Sequence, residues 1–391
     1  MRPLSRSKYV KVLSLFAASL TAITALAACG SSDSSEPGSS TASGSSDGVS
    51  ADVTAAVKAD YAGTNEQPPA EGPAPAKGVN LWVITCSAQA PGCQAPAAKA
   101  VEAGKLLGWK VTVGDGNFGI GDGYNTAIRQ ALAAGADAID LIGIQCSAAQ
   151  ASLQQAKTAG IPVIGTTSFD DCSTPLFAAT TQMNSAHPEL EDWLKAYGAA
   201  KANWLIEATG GKAKVITSSM ANNLTANLPQ EGFDAELRAN CPDCTIVDTV
   251  KFTDQDLSTG GYKQKFATSV VAHPEADSVV AVLDTFVLAA NMPATIASAG
   301  RKITLVGGEG LAPVTEMVRG GQVGAQTAWD NGWLGYAAVD TVNRVLNKQP
   351  SIPQGFGWQT VDSTHNLPAK GATFAAPVDY VSAYKKLWGV S

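Results

Sequence analysis

Two cysteines, Cys241 and Cys244, have the spacing of a redox-active dithiol, with Pro242 and Asp243 between them. In thioredoxin-like proteins such a pair lies where a strand leads into a helix, because the helix N-terminus lowers the pKa of the reactive thiol. Here a helical pattern precedes Cys241 and the strand-like run Thr245 to Val250 follows Cys244, so the order is reversed. The order therefore favours a loop-closing disulfide and not a redox centre.

A glycine-rich segment from Gly114 to Gly119 matches the Gly-x-Gly-x-x-Gly pattern of dinucleotide-binding loops. Such a site also needs an acid at the end of the next strand to bind the ribose. The next predicted strand, Ala138 to Ile144, ends in Gln145 and Cys146 instead. We therefore expect a glycine-rich loop at a cleft and no dinucleotide cofactor.

Other patterns that could support catalysis are weak. Residues Gly44 to Gly48 match the Gly-x-Ser-x-Gly nucleophile motif, but their Ser-rich surroundings provide no strand-to-helix turn. His187, His273 and His365 have no metal-ligand spacing to another His, Cys or acid. We predict that the protein is not an enzyme and that it uses neither a metal ion nor a cofactor.

The N-terminus indicates export. Residues 1–28 combine four basic residues and no acid with an apolar stretch that ends in small residues, which is the layout of a signal peptide. The apolar stretch is shorter than the ~20 residues that a membrane span needs. The run Leu26-Ala27-Ala28-Cys29 resembles the bacterial lipobox, in which the cysteine is lipidated and becomes the mature N-terminus. Ordinary cleavage at an Ala-x-Ala site remains the alternative.

Residues 29–76 are rich in Gly and Ser at first and in Pro towards the end. This composition predicts a disordered tether between the lipidated N-terminus and the folded body. The whole chain has a formal net charge of −7, and removal of the basic signal peptide makes it more acidic. An acidic surface argues against nucleic acid as a partner and against membrane contact other than through the lipid anchor.

The six cysteines that follow Cys29 are an even number in an exported chain, for which disulfides are the expected state. The sequence leaves their pairing open. Proximity along the chain favours Cys86 with Cys93, Cys146 with Cys172, and Cys241 with Cys244.

Short β-branched runs alternate with Ala-rich helical patterns, which is typical of parallel α/β folds. The alternation occurs in two successive series and predicts an α/β protein with two doubly wound parallel-sheet lobes. Such sheets place ligands at the carboxyl ends of their strands. The predicted strands are Val79 to Thr85, Lys110 to Val113, Ala138 to Ile144, Pro162 to Thr166, Lys214 to Thr217, Thr245 to Val250, Ser278 to Leu283 and Ile303 to Val306.

Several segments resemble type I periplasmic binding proteins of the ribose-binding branch, the solute receptors of ABC sugar importers. The first-lobe segments are residues 131–142, ALAAGADAIDLI, and 156–164, AKTAGIPVI. The resemblance continues through residues 230–233, 305–310 and 378–389. It implies a monomeric receptor that closes around a small-molecule ligand and then docks on a membrane permease.

The resemblance also implies the domain boundaries. Lobe one would comprise residues 77–180 and 331–355, and lobe two residues 181–330 and 356–365. Residues 366–391 would form a C-terminal extension that packs on the lobes. Three segments would cross between the lobes, near Ala178 to Thr181, Ala328 to Asp330 and Phe356 to Gln359.

The positions that the resemblance assigns to the pocket are chemically unusual. Where sugar-binding relatives carry an Asp-Arg pair, this chain has Thr167 and Ser168, and Asn227 replaces an expected arginine. These losses weaken a simple pentose as the ligand, because each unpaired hydroxyl in a closed cleft costs about 1–3 kcal/mol. The candidate ligand-binding residues are Gln89, Gln145, Thr167, Asn227, Asp284, Glu309 and Trp329.

The ligand class stays open at this point. A sugar or polyol follows from the family, whereas Asp284 and Glu309 beside Trp329 would also suit an aromatic or cationic ligand. A structural role for Asp284 as a helix cap is the alternative at that position. A sensor of the same fold that signals to a membrane partner is the alternative function.

The lipobox resemblance leads to a first test. Replacing Cys29 by Ala should release the protein from the cell surface into the medium, because the lipid attachment site is lost. Ligand binding should be unchanged. Cell fractionation measures the release, and Ser31→Ala is the matched control. A Cys29→Ala protein that stays cell-bound would contradict lipidation at this residue.

Overall fold

The computed structural model of the protein describes residues 48–391. The predicted signal peptide, Cys29 and the first part of the predicted tether lie outside the described residues.

Helices and strands alternate through most of the described chain. The helices are α1 (Ala51–Ala62), α2 (Pro91–Leu106), α3 (Gly123–Ala133), α4 (Cys146–Thr158), α5 (Leu190–Ala208), α6 (Leu224–Asn240), α7 (Asp254–Thr259), α8 (Gly261–Ala272), α9 (Asp284–Ala289), α10 (Met292–Ser298), α11 (Ala312–Arg319), α12 (Asn331–Leu346) and α13 (Tyr380–Trp388). The strands are β1 (Asn80–Thr85), β2 (Lys110–Asp115), β3 (Ala138–Ile142), β4 (Val163–Thr166), β5 (Ala179–Thr180), β6 (Lys214–Met220), β7 (Thr245–Phe252), β8 (Ser278–Val280), β9 (Thr304–Glu309), β10 (Ala325–Ala328) and β11 (Gln359–Asp362).

Lobe one is built on a parallel sheet with the strand order β2-β1-β3-β4-β5. Its central strand β3 is buried on both faces. Ala138 and Ile142 pack with α2 and α12 on one face, and Ile139 and Leu141 pack with α3 and α4 on the other. Burial on two faces explains why β3 is a continuous apolar run broken only by Asp140.

Lobe two is built on a sheet with the order β11-β10-β9-β8-β6-β7. Strands β6 to β10 are parallel, as predicted, whereas the edge strand β11 is antiparallel to β10. Helices α1, α5 and α6 cover one face, and α8, α9 and α11 cover the other. The two-lobed α/β architecture predicted from the sequence is confirmed.

The chain passes between the two sheets in three segments: from β5 to α5, from β10 to α12, and from α12 to β11. Trp193 of α5 lies where these crossings meet. Its ring centroid is 5.5 Å from that of Trp329 and 5.3 Å from that of Phe356, and its Nε1 donates to the Phe356 carbonyl at 3.1 Å. The crossing segments are therefore packed around aromatic side chains.

The predicted tether needs correction, because residues 48–76 are part of the folded body. Helix α1 packs on lobe two, where Val53 and Val57 are 1% and 3% exposed. Tyr61 Oη donates to Asp362 Oδ2 of β11 at 2.5 Å. The sequence composition did not indicate this helix, because only two of its residues, Val53 and Val57, are buried.

The segment that follows α1 runs from lobe two to lobe one. The backbone of Glu66 bonds to the Gly355 carbonyl, and further along Ala76 N donates to Asn343 Oδ1 of α12 at 2.9 Å. Arg344 Nη2 donates to the Glu71 carbonyl at 2.8 Å. This Pro-rich segment is thus a fourth connection between the lobes.

The C-terminal extension makes a fifth connection by returning from β11 to lobe one. Its helix α13 packs on α12, where Trp388 stacks on Tyr336 with ring centroids 5.9 Å apart. Trp388 Nε1 donates to the buried carboxyl of Asp340 at 3.0 Å. The extension is therefore part of the core of lobe one.

The six described cysteines form the disulfides Cys86–Cys93, Cys146–Cys172 and Cys241–Cys244. The last of these joins the end of α6 to the residue before β7, in a loop. Within residues 48–391 no helix is both long and apolar enough to cross a bilayer.

The packing of α1 leads to a second test. Replacing Val57 by Ala should lower the free energy of unfolding by about 2 kcal/mol, because it removes buried methyl groups and leaves a cavity. Thr54→Ala, on the exposed side of the same helix, should change stability little. Urea denaturation measures both. Equal stability of the two variants would contradict the docking of α1.

Candidate ligand-binding cavity

A cavity of about 90 Å³ lies between the two lobes, at the carboxyl ends of the strands of both sheets. Lobe one contributes the segments after β1, β2, β3 and β4, and lobe two those after β6, β7 and β8 together with the end of β9. Parallel strands leave their loops together at this edge, which is why open α/β sheets bind ligands there. The crossing segments and α5 form the remaining wall.

The cavity wall is predominantly apolar. Aromatic side chains come from both lobes and from the crossings, and aliphatic side chains fill the space between them. The aromatic residues are Phe118, Tyr124, Trp193, Phe286, Trp329 and Phe356, and the larger aliphatic residues are Leu194, Met220, Leu257, Leu283 and Leu334.

Glu309 is the most deeply buried acid of the wall, at 4% exposure. Its Oε2 accepts the backbone N–H of Thr285 at 2.8 Å, and its own N–H donates to the hydroxyl of Tyr197 at 3.0 Å. The other oxygen, Oε1, faces Gly92 of lobe one so closely that a Cβ at Gly92 would collide with it. Burial raises the pKa of Glu309 to about 7.

Two further charged groups lie behind Glu309, outside the cavity wall. Lys201 Nζ donates to the Gly307 carbonyl at 2.8 Å and lies 4.0 Å from the centroid of the Tyr197 ring. Asp284 accepts the backbone N–H groups of Gly308 at 2.7 Å and Leu311 at 2.9 Å. Burial lowers the pKa of Lys201 to about 7, although the charges of Asp284 and Glu309 act in the opposite direction. Burial and the charge of Glu309 raise the pKa of Asp284, and the charge of Lys201 partly opposes this rise.

A second acid, Asp254, lines the cavity from the first turn of α7, whose N-cap is Thr253. Burial raises its pKa to about 6. The pKa of Tyr124 is raised by burial and also by the charge of Asp254 across the cleft. Both residues are half-buried in the wall.

Several polar side chains of the wall are already engaged within the protein. Thr225 Oγ1 donates to the Thr167 carbonyl at 3.1 Å, which joins the two lobes. Thr167 Oγ1 donates to the Thr166 carbonyl, and Asn223 Oδ1 accepts from Ala226 N at the start of α6. These contacts leave the two carboxyl groups as the principal polar groups available to a ligand.

Three of the seven candidate ligand-binding residues line the cavity: Thr167, Glu309 and Trp329. Trp329 Nε1 donates to Asn331 Oδ1 at 2.8 Å, so its ring alone is available to a ligand. Thr167 has a positive φ of 50°, which bends the chain at the end of β4.

The other four candidates do not line the cavity, and their assignment to it needs correction. Gln89 is exposed. Asn227 bonds to both backbone groups of Met220 and so holds the end of β6 to α6. Asp284 is turned away from the cavity towards the backbone of β9. Gln145 joins the lobes instead, because its Oε1 accepts the backbone N–H of Leu224 at 2.6 Å.

Sequence reasoning missed most of the aromatic wall. Phe118 lies inside the glycine-rich segment that was predicted to be a cleft loop, so the sequence did indicate that this residue is near the cleft. Asp254 begins a helix with a capping box, which gave no reason to expect a pocket residue. Phe286 resembles an ordinary core residue in sequence, and Phe356 was predicted at a crossing but not in the pocket; both rings line the cavity.

A disulfide forms part of the cavity wall. Cys86 and Cys93 tie the segment after β1 to the first turn of α2, and both line the cavity. Among the described residues, Cys146, Asp170 and Cys172 are close enough to share a metal ion, but the disulfide between the two cysteines leaves no thiolate ligand.

Comparison with known proteins supports this architecture. The sequence profile of the periplasmic binding protein domain matches residues 82–350. A search of curated proteins finds no match.

Solved structures with the same fold are numerous and distant in sequence. The binding protein of an arabinose ABC transporter from Shewanella, bound to L-arabinofuranose, is 18% identical with a TM-score of 0.61, over 79% of this chain and 95% of that one. A glucose-galactose binding protein from Geobacillus stearothermophilus is 16% identical with a TM-score of 0.61, over 75% and 100%. A Mycobacterium smegmatis solute-binding protein with bound glycerol is 20% identical with a TM-score of 0.61, over 76% and 99%.

At these identities the structures establish the fold alone. The profile match covers more than half of the chain and includes strands of both sheets, all but β11. The chain therefore belongs to the periplasmic binding protein domain family, whose members are solute-binding proteins and not enzymes.

Proposed function

We propose that this protein is the extracytoplasmic solute receptor of an ABC importer. It captures a small molecule between its lobes and delivers it to a membrane permease. The cavity carries the proposal, because it lies between the lobes and is lined by segments of both.

A ligand that touches both lobes stabilises the closed form, because the open form offers only half of the contacts. A permease that recognises the closed form then distinguishes the loaded receptor from the empty one. In this proposal a lipid on Cys29 keeps the monomeric receptor near the permease, which raises its effective concentration.

The structural relatives bind arabinofuranose, glucose or galactose, and glycerol. They make a sugar or polyol the first class of ligand to examine. The apolar wall with two carboxyl groups adds a second class, the aromatic or cationic solutes.

A third test addresses the receptor function directly. A thermal-shift screen over sugars, polyols, amines and aromatic acids should identify a stabilising compound, because a ligand at a hundredfold its Kd adds about 2.7 kcal/mol to the stability of the native state. After incubation the compound should be recovered unchanged. Uptake of that compound by cells should require the protein.

Conversion of the compound into a product would contradict a receptor without chemistry of its own. Binding without any effect on uptake would favour a sensor over a transport receptor.

A fourth test concerns the closure of the lobes. Gln145→Ala removes the hydrogen bond to Leu224 N across the cleft, and the loss of about 1 kcal/mol should shift the balance between closed and open forms about fivefold towards the open form. The radius of gyration from small-angle X-ray scattering should increase. Gln150→Ala, on the exposed side of α4, is the control. An unchanged radius in Gln145→Ala would show that this bond does not hold the lobes together.

A further inference from the structure

The charge of the cavity wall is of one sign. Glu309 and Asp254 are acidic, and no Lys, Arg or His occurs among the described residues that line the cavity. Sugars are usually held by both charged donors and acceptors, because each hydroxyl can donate and accept. A wall with carboxyl groups and no cationic donor fits a ligand that brings its own positive charge.

The groups behind Glu309 do not balance its charge. Lys201, Asp284 and Glu309 comprise one ammonium group and two carboxyl groups, and all three are buried. When all are ionised, the cluster carries one excess negative charge. A buried uncompensated charge is costly, so the cluster must take up either a proton or a cation.

The position of Glu309 shows where a cation would enter. Oε2 accepts the backbone N–H of Thr285, whereas Oε1 lies at the cavity wall, against Gly92 of lobe one. Asp284 and Lys201 are already bonded to the backbone of residues 307–311. Glu309 is therefore the member of the cluster that presents its charge to the cavity.

The rest of the wall suits the apolar part of such a ligand. Aromatic rings attract cations through their quadrupoles, most strongly when water is excluded. Tyr124, Trp193 and Trp329 line the same cavity as Glu309. The hydroxyl groups of Thr167 and Thr225 are bonded to backbone carbonyls, so a polyol would find few free partners.

We propose that the cavity selects a small organic cation, an ammonium group with apolar substituents, whose charge lies at Glu309 Oε1 and whose apolar groups contact the aromatic wall. This inference rests on the receptor function proposed above. The relatives' sugar and polyol ligands are the competing class.

The test compares a cation with its uncharged counterpart of the same shape. Choline and 3,3-dimethylbutan-1-ol differ by a carbon atom in place of the quaternary nitrogen, and phenethylamine and 2-phenylethanol by the group that carries the charge. Isothermal titration calorimetry on the intact protein should show at least one cation binding tenfold or more tightly than its neutral partner. Titration to about 10 mM detects Kd values in the millimolar range.

A charge-removing variant locates the cation. Glu309→Gln should weaken binding of the cation about tenfold or more and leave the neutral partner unaffected. If this variant does not fold, the comparison of the cation with its neutral partner on the wild-type protein still tests the inference.

The affinity of the wild-type protein should rise between pH 6 and pH 8. The Glu309 carboxyl and the Lys201 ammonium, whose pKa values are both about 7, lose their protons over this range, and both losses make the cluster more attractive to a cation. Lys201, Tyr197 and Asp284 are the titratable groups that face it from α5 and α9.

A steric variant tests the geometry. Gly92→Ala places a methyl group against Glu309 Oε1 and should abolish cation binding. Gly320→Ala, where the nearest atom would be 3.4 Å away, should bind like the wild type.

The outcomes separate this inference from the receptor function. Failure of both cations to bind, or equal affinity for cation and neutral partner, overturns the inference. If L-arabinose, D-galactose or glycerol binds in that case, the receptor function stands with a neutral ligand. If no compound in the whole screen stabilises the protein, the receptor function itself is contradicted.

Discussion

Aromatic packing at the crossings between the lobes is the interaction on which the rest of the structure depends. Trp193 contacts Trp329 and Phe356, which lie on two different crossing segments, and Trp358 lies 5.1 Å away from it, centroid to centroid. Large aromatic side chains bury much apolar area and have few conformations to lose. The two sheets are therefore positioned relative to each other by a rigid apolar centre, and the same centre forms part of the cavity wall.

The N-terminal and C-terminal segments add to this arrangement. Residues 64–76 and the extension that ends in α13 each connect the lobes again, beyond the three crossings that the family resemblance implies. Both pack against α12, the helix that begins at one crossing and ends before another. Two additional connections oppose separation of the lobes, so opening of this protein has more contacts to rearrange than three strands alone would impose.

The cavity joins an apolar wall to a buried group of charges. Glu309 belongs to both, because its carboxyl lies at the cavity while its backbone lies beside Asp284 and Lys201. Gly307 and Gly308 directly precede Glu309 in β9, and a side chain at either position would collide with Asp284, Tyr197 or Lys201. The glycines thus allow charged groups to approach the backbone closely, and this approach sets the electrostatics of the site.

The sequence by itself determined the two-lobed α/β fold and eight of the eleven described strands, because alternation of apolar runs and helical patterns is a local property; β5, β10 and β11 were not predicted. The family was indicated by the resemblance of several segments to known binding proteins. That resemblance also pointed to Thr167, Glu309 and Trp329, which lie at or directly after the ends of β4, β9 and β10. Only the tertiary structure decided that Gln145, Asn227 and Asp284 serve the protein's own backbone, that α1 docks on lobe two, and that Phe286 and Phe356 reach the cavity. The direction in which a side chain points and the groups that it contacts depend on residues far away in the sequence. A local sequence pattern therefore cannot predict them.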